Sequence, residues 1–342
     1  MPNTRQATEI AFESMARCGA LVRPAMRAAV DTLDPALVEM AEFALGWRDA
    51  CGAPARGGGK GLRPALVLLG AEAAGAPDEA ALPGAVAVEL VHAFSLVHDD
   101  IMDGDERRRH RPSLWKAYGT GPAVMTGDAL LALALDVLGR ERCAAAVGLL
   151  AEALLDVVGG QAADAAFESR PWTGPDAVTV EEYHAMAVRK TGALLGCSAA
   201  MGAVLAGAPP GLAAGLARAG CELGLAFQAV DDVLGIWGDP AVTGKPVFSD
   251  LRRHKKTVPV LAALAGPRCD DRLVELLTGA PADEELREAA FRIERAGGRA
   301  ITEEMARDRL ESATGRLRAL PLSGRAAAEL LAVAACVVDR HR

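Results

Sequence analysis

The sequence predicts an all-α fold, and three observations carry that prediction. Ala and Leu dominate a composition that is 51% apolar but only 4% aromatic, which suits helices better than strands. Apolar residues recur at helical spacing, as in Val86, Leu90, Phe94, Val97 and Ile101, while alternating strand-like runs are nearly absent. The period is interrupted only by short stretches rich in Gly, Pro or charge.

Taken in order, the first dozen residues are polar and are expected to fray. Breaks then fall at Gly57 to Gly61, Arg107 to Pro112, Arg170 to Asp176, Pro209 to Gly211, Gly238 to Ser249 and Ala280 to Ala282, and they separate ten or more helices. None is a long Ser/Pro linker, and no repeat of fixed period is present. The 342 residues therefore read as a single all-helical domain, 1–342. The run from Gly192 to Ala208 is the best candidate for a membrane span, but it consists mostly of Ala and Gly and falls short of the required length. It reads as a close-packed internal helix, and no membrane span is expected.

Charge and cysteine usage narrow the function. The net charge is −8 and the pI about 5.4, so a nucleic-acid partner is not expected. Phosphate ligands must be met locally by Lys, Arg or metal. Seven cysteines, Cys18, Cys51, Cys143, Cys197, Cys221, Cys269 and Cys336, are scattered without ligand spacing and read as thiols of a reducing cytosol. No secretion signal opens the sequence, and the expected location is cytoplasmic.

Two acidic clusters carry the chemistry. The first, Asp99, Asp100 and Asp103, is a DDxxD on the apolar helix through Leu96 to Met102. At about 100° per residue, Asp99 and Asp103 lie about 40° apart and His92 about 20° from Asp99 on the other side. Acids this close repel one another unless they share a cation, and magnesium commonly takes one or two carboxylates together with substrate phosphates. A solvated helix C-terminus has the same pattern, although acids there oppose the macrodipole. Arg107, Arg108, Arg109, His110 and Arg111 follow at once, and guanidinium forks match phosphate oxygens. A basic surface stretch or RNA patch is the alternative reading of that run, and an acidic chain without interleaved aromatics disfavours it.

The second cluster, on a helix from Leu225 to Trp237, bears Gln228, Asp231 and Asp232, with Gly235 where a third acid would complete another DDxxD. Lys245, Asp250, Arg252, Arg253, His254, Lys255, Lys256 and Thr257 follow in the next loop. If the two helices face one another in a bundle, their carboxylates form a mouth able to hold three magnesium ions around one diphosphate, above an apolar pocket.

With both clusters in place, the sequence resembles the trans-prenyltransferases, the polyprenyl diphosphate synthases of the farnesyl and geranylgeranyl diphosphate synthase type. The resemblance covers nearly the whole chain, and most clearly Gly58 through Thr257. It implies an isoprenoid-synthase-type helical bundle around a central apolar cavity. It also implies magnesium-dependent condensation of isopentenyl diphosphate with dimethylallyl, geranyl or farnesyl diphosphate in a cytoplasmic homodimer. In Gly58-Gly59-Lys60-Gly61-Leu62-Arg63-Pro64, Lys60 and Arg63 match ligands of isopentenyl diphosphate, as do His92 and Arg109, while Arg108 matches a ligand of the allylic diphosphate. Asp99, Asp103 and Asp231 match the metal ligands. Lys190, in Lys190-Thr191-Gly192, resembles a lysine on the allylic diphosphate, as do Lys245 and Lys255, and Thr191 and Gln228 belong with that group. Asp100, Gln161, Asp164 and Asp232 match residues supporting the metal site.

By the same resemblance, Phe94 and Ser95 beneath the first cluster set product length, and a small Ser95 predicts a twenty-carbon geranylgeranyl product. Gly235 departs from the family pattern. A class I terpene cyclase is the nearest enzyme alternative, but the only asparagine is Asn3, which rules out an Asn-Ser-Glu metal triad, and aromatics are scarce for cation-stabilising walls. A non-catalytic partner subunit of another prenyltransferase is the other alternative. It has no need of the full set of cations and acids.

Overall fold

The structure, a computed structural model, describes residues 4–49, 51–55, 61–108, 110–244, 246–279, 281–322 and 324–337. Among these residues it is helical almost throughout. The helices are α1 Thr4–Val30, α2 Pro35–Ala44, α3 Leu62–Ala73, α4 Leu82–Met102, α5 Leu114–Tyr118, α6 Thr120–Gly139, α7 Ala144–Glu168, α8 Val180–Ala187, α9 Ala193–Leu205, α10 Pro210–Trp237, α11 Pro240–Thr243, α12 Ser249–Arg252, α13 Val258–Ala265, α14 Asp271–Thr278, α15 Asp283–Arg295, α16 Gly298–Ala319 and α17 Gly324–Ala335. The all-α expectation holds. The predicted break at Arg107 to Pro112 is a small antiparallel hairpin, β1 Arg107–Arg108 and β2 Arg111–Pro112, with Arg108 paired to Arg111. Its turn passes through His110 at φ +65°.

The chain divides into two compact units, one of Met1–Leu154, Leu194–Gly220 and Thr314–Cys336, the other of Leu155–Ala193, Cys221–Ala313 and Val337–Arg342. The sequence crosses between them within α7, α10 and α16, at the start of α9 and just after α17. In the first unit α4 packs along α6, and α1 packs on α3 and α17. Arg17 of α1 reaches Glu72 at 2.6 Å and Glu329 of α17 at 2.8 Å, which ties the C-terminal helix to the N-terminal one. In the second unit Ile236, Leu251, Val260, Leu273, Leu286 and Ile293 form a buried cluster under the last turn of α10.

The choice of best candidate span needs correction. Among the described residues, three helical stretches, Asp78–Met102, Thr120–Gly139 and Ala144–Glu168, are long and apolar enough to cross a membrane by length and composition. Gly192 to Ala208 is the close-packed internal helix the sequence suggested, with Leu194 through Ala203 all buried, and the better candidates by length and composition lie elsewhere. Of the three stretches, the one ending in the first acidic cluster is 61% buried inside the fold, against 39% and 33% for the others. Its apolarity is thus largely accounted for by core packing.

Candidate active site

In the first unit, α4 ends at Met102 with Asp103 as its C-cap residue. Asp99 and Asp103 are one turn apart and partly exposed, whereas Asp100 between them is buried. The hairpin explains the difference. Arg108 Nε donates to both Asp100 oxygens at 2.8 and 2.9 Å and Nη2 donates to Oδ1 at 2.6 Å. This bidentate pair satisfies a carboxylate that would otherwise be costly to bury. Burial works against the charge on Arg108, but the bond and charge of Asp100 outweigh it and raise the guanidinium pKa. Arg108, expected on the allylic diphosphate, is therefore anchored by Asp100 first.

A cavity of about 120 Å³ beside this pair is lined by Phe43, His92, Val97, Asp100, Arg108 and Ser113, among others. His92, predicted as a diphosphate ligand, thus shares a wall with Arg108. Phe94 is buried and stacks edge-on against His98, ring centroids 4.7 Å apart. Ser95 is partly buried and its Oγ donates to His92 O at 2.9 Å. Arg63 opens α3, one residue past its first. Lys60, Arg109 and Lys245, with Gly58 and Gly59, lie outside the described residues.

In the second unit the middle acid is again turned inward. Asp232 is 2% exposed and accepts from Tyr183 Oη at 2.7 and 2.8 Å, from Gln228 Nε2 at 2.9 Å and from Val258 N at 3.1 Å. The last contact caps one of the N–H groups left without an intrahelical partner at the start of α13. Burial pushes the Asp232 carboxyl up to about 7, against the opposing pull of its three hydrogen bonds. Tyr183 is placed by α8, whose start follows from its sequence. Thr179 and Glu182 form a capping box, Glu182 N donating to Thr179 Oγ1 at 3.1 Å and Thr179 N to Glu182 Oε2 at 3.0 Å. Asp231, next to Asp232, stays partly exposed.

The cations gather on α7. Lys190 Nζ donates to Asp164 Oδ2 at 2.5 Å, while Lys255 Nζ meets Glu168 Oε1 at 2.7 Å and Asp164 Oδ2 at 3.7 Å. Thr191 Oγ1 donates to Gln228 Oε1 at 2.6 Å, so Lys190 and Thr191 connect the acidic helix to α7. Both lie in a π-helical turn, Val188–Gly192, a distortion common where a helix presents functional groups. The turn lies against Gly160 of α7, where a methyl group would stand 2.3 Å from Lys190 N. Gly160→Ala is expected to cost about 1–3 kcal/mol by overpacking, as thermal denaturation would measure. Gln161 Oε1 is buried with no hydrogen-bond partner among the described residues.

Among the described residues no three His, Cys, Asp or Glu side chains converge to hold a metal by themselves. The donors still suit magnesium. They are hard carboxylate oxygens, partly exposed at Asp99, Asp103 and Asp231, and magnesium ordinarily completes its shell with water and substrate phosphate. Sequence reasoning placed Asp232, Gln228 and Asp164 here but missed Tyr183 and Glu168. Tyr183 stands seven residues before Lys190, at helical spacing, and was the more findable of the two.

The sequence pattern of the polyprenyl synthetase family matches residues 48–293. The chain belongs to that family. Among relatives of this polyprenyl synthetase, the (2E,6E)-farnesyl diphosphate synthase of Mycobacterium tuberculosis is 44% identical over 350 residues, 99% of this chain and 96% of the relative. The geranylgeranyl diphosphate synthase of the same organism is 42% identical over 310 residues, 88% of this chain and 86% of the relative. The crystal structure of a polyprenyl synthetase from Streptomyces coelicolor A3(2) matches with a TM-score of 0.87 at 47% identity, covering 95% of this chain and 98% of that one. The fold is therefore the all-α isoprenoid synthase fold, and this polyprenyl synthetase is a prenyltransferase that elongates prenyl chains.

Proposed function

We propose that the chain condenses isopentenyl diphosphate with dimethylallyl, geranyl or farnesyl diphosphate, with Mg2+, and ends at the twenty-carbon geranylgeranyl diphosphate. The observation that carries the metal-assisted reading is the divided role of each acid pair. Asp100 and Asp232 are buried and hydrogen-bonded, while Asp99, Asp103 and Asp231 remain partly exposed beside them. We assign Asp99, Asp103 and Asp231 to three magnesium ions, which when bound supply Lewis-acid neutralisation of the diphosphate.

The protein's own groups act as cations around the leaving group and as positioning elements. Arg108, Lys190, Thr191, Gln228, Lys245 and Lys255 hold the allylic diphosphate, while Lys60, Arg63, His92 and Arg109 hold isopentenyl diphosphate. The allylic C–O bond breaks with its electron pair leaving on diphosphate. The homoallylic double bond then attacks the allylic carbon to form the new C–C bond. A proton is lost to the departed diphosphate, which restores the double bond. Fixed charges at developing negative charge and enforced proximity supply the acceleration, and no protein nucleophile is required.

Ser95, small and partly buried one turn before Asp99, supports the longer product. Buried Phe94 and the 44% identity to a farnesyl diphosphate synthase favour a stop at fifteen carbons, the second reading. Incubating the enzyme with isopentenyl diphosphate and each allylic diphosphate, then measuring product length, decides between them. Ser95→Phe is expected to shift the product at least five carbons shorter, and an unchanged profile would remove Ser95 from the floor of the cavity.

We read residues 1–342 as one prenyltransferase domain, cytoplasmic and without a membrane span, acting as a homodimer. Val124, Met125 and Leu135 on α6 are exposed apolar residues of the kind a second copy would cover.

A further inference from the structure

The loop between α12 and α13 carries two lysines side by side, and the structure sends them in different directions. Lys255 Nζ reaches the acids of α7, Glu168 Oε1 at 2.7 Å and Asp164 Oδ2 at 3.7 Å. Lys256 turns into the core instead and is 4% exposed. Its Nζ stands 3.6 Å from the centroid of the Trp172 ring and 3.5 Å from His254 O, and these are its described partners. An ammonium is ordinarily left in water, since burying a charge without a carboxylate partner is costly. Burial lowers the Lys256 pKa, against the raising pull of the Glu168 charge. Indole is the best aromatic face for a cation, and the attraction strengthens where water is excluded.

Trp172 offers that face from a fixed position. It is 7% exposed and belongs to the buried cluster of Ile236, Leu251, Val260 and Leu273. Two residues before it, Arg170 locks the same loop to α8 and to itself. Its Nη1 donates to Glu182 Oε1, its Nε to Asp176 O and its Nη2 to Ala177 O, each at 2.8 Å. Trp172 also follows Glu168, the last residue of α7, by four positions. Both lysines are therefore referenced to the C-terminal end of α7, Lys255 through ion pairs and Lys256 through a buried ring. The Lys255 pairs must open if that ammonium is to meet a substrate phosphate, whereas the Lys256 contact can persist. Lys255 N donates to Asp250 O at 3.0 Å and Thr257 N to Lys255 O at 3.1 Å, so a displacement of Lys256 is carried directly into Lys255.

We propose that Lys256 is a positioning residue: seated on Trp172, it holds the loop between α12 and α13 in place while Lys255 exchanges Glu168 and Asp164 for the allylic diphosphate. The loop is thus ordered before substrate arrives, and binding does not bear the entropy of ordering it. Stability alone calls for no charge here, because an apolar side chain of the same reach would fill the core at least as well. This inference rests on the reading of Lys255 as a ligand of the allylic diphosphate.

The test is calorimetric titration of the full chain with geranyl thiolodiphosphate, a non-ionising allylic analogue, at saturating Mg2+, with a Tm for each variant. Lys256→Met is expected to weaken binding about 3- to 10-fold while Tm stays level or rises, because an apolar side chain replaces a buried charge. Lys256→Arg, which keeps a cation for the ring, should restore most of the affinity. Trp172→Leu should weaken binding to the same extent, and adding Lys256→Met to it should cost little more. If Trp172→Leu does not fold, the two Lys256 variants decide. Leu276→Ala, a loss from the same buried cluster, should lower Tm and leave affinity unchanged. Lys255→Met losing affinity while Lys256→Met binds like wild type overturns this inference alone. Equal weakening in Lys256→Met and Lys256→Arg, or in Lys256→Met and Leu276→Ala, also overturns it. Unchanged binding by Lys255→Met overturns the reading on which it rests.

Discussion

Asp99→Ala and Asp231→Ala are each expected to lower kcat by about 10²–10³-fold, the scale of removing one group that neutralises charge in the transition state. Both side chains are partly exposed, so stability should change by no more than about 0.5 kcal/mol. Asp99→Ala also relieves repulsion from Asp103. The neighbouring acids should behave in the opposite way. Asp232→Ala strips Tyr183, Gln228 and the start of α13 of a shared acceptor and should lower the denaturation midpoint before it affects chemistry. Steady-state rates beside urea melts of the four single alanine variants at Asp99, Asp100, Asp231 and Asp232 would show the division. Near-normal turnover in Asp99→Ala or Asp231→Ala would contradict the roles given to them.

That division was partly legible in the sequence. Helical spacing alone separates Asp99 and Asp103 from Asp100, since the middle acid points about 100° away, toward the side where α4 is packed. Why Asp100 tolerates burial was not legible, because it depends on a hairpin at Arg107 to Pro112 that Gly, Pro and charge content mark only as an interruption. Nothing in the sequence around Lys190 and Thr191 marks a helix distortion, and the π-helical turn that carries them lies in close approach to Gly160. The same limit explains Gly235. Periodicity along α10 reports a missing acid, whereas the Asp250 carboxylate that packs against Gly235 arrives from fifteen residues away through a left-handed Phe248. The long apolar helices misled in another way. Composition cannot distinguish a stretch buried in its own protein from one suited to lipid, so the α9 run was weighed as the best candidate span and set aside, while the longer apolar stretches of α4, α6 and α7 were not weighed.

Arg108→Leu should produce the second large effect, and it separates anchoring from substrate binding. Removing the guanidinium leaves Asp100, whose side chain is only 5% exposed, as a buried carboxylate without its bidentate partner. Breaking such a pair costs about 3–5 kcal/mol, and the lower end applies because Arg108 keeps 29% of its side-chain surface. The loss should appear as a reduced urea midpoint at unchanged m. Asp100→Leu combined with Arg108→Leu replaces both charges with apolar volume and should recover most of that stability, as apolar replacements of buried pairs commonly do. Turnover should not recover with it, because the double variant still lacks the cation assigned to the allylic diphosphate. If the double variant regained both, Arg108 would serve only to keep Asp100 in place. If Arg108→Leu alone kept its stability, the bidentate pair would contribute little to the fold, and the burial of Asp100 would need another source of compensation.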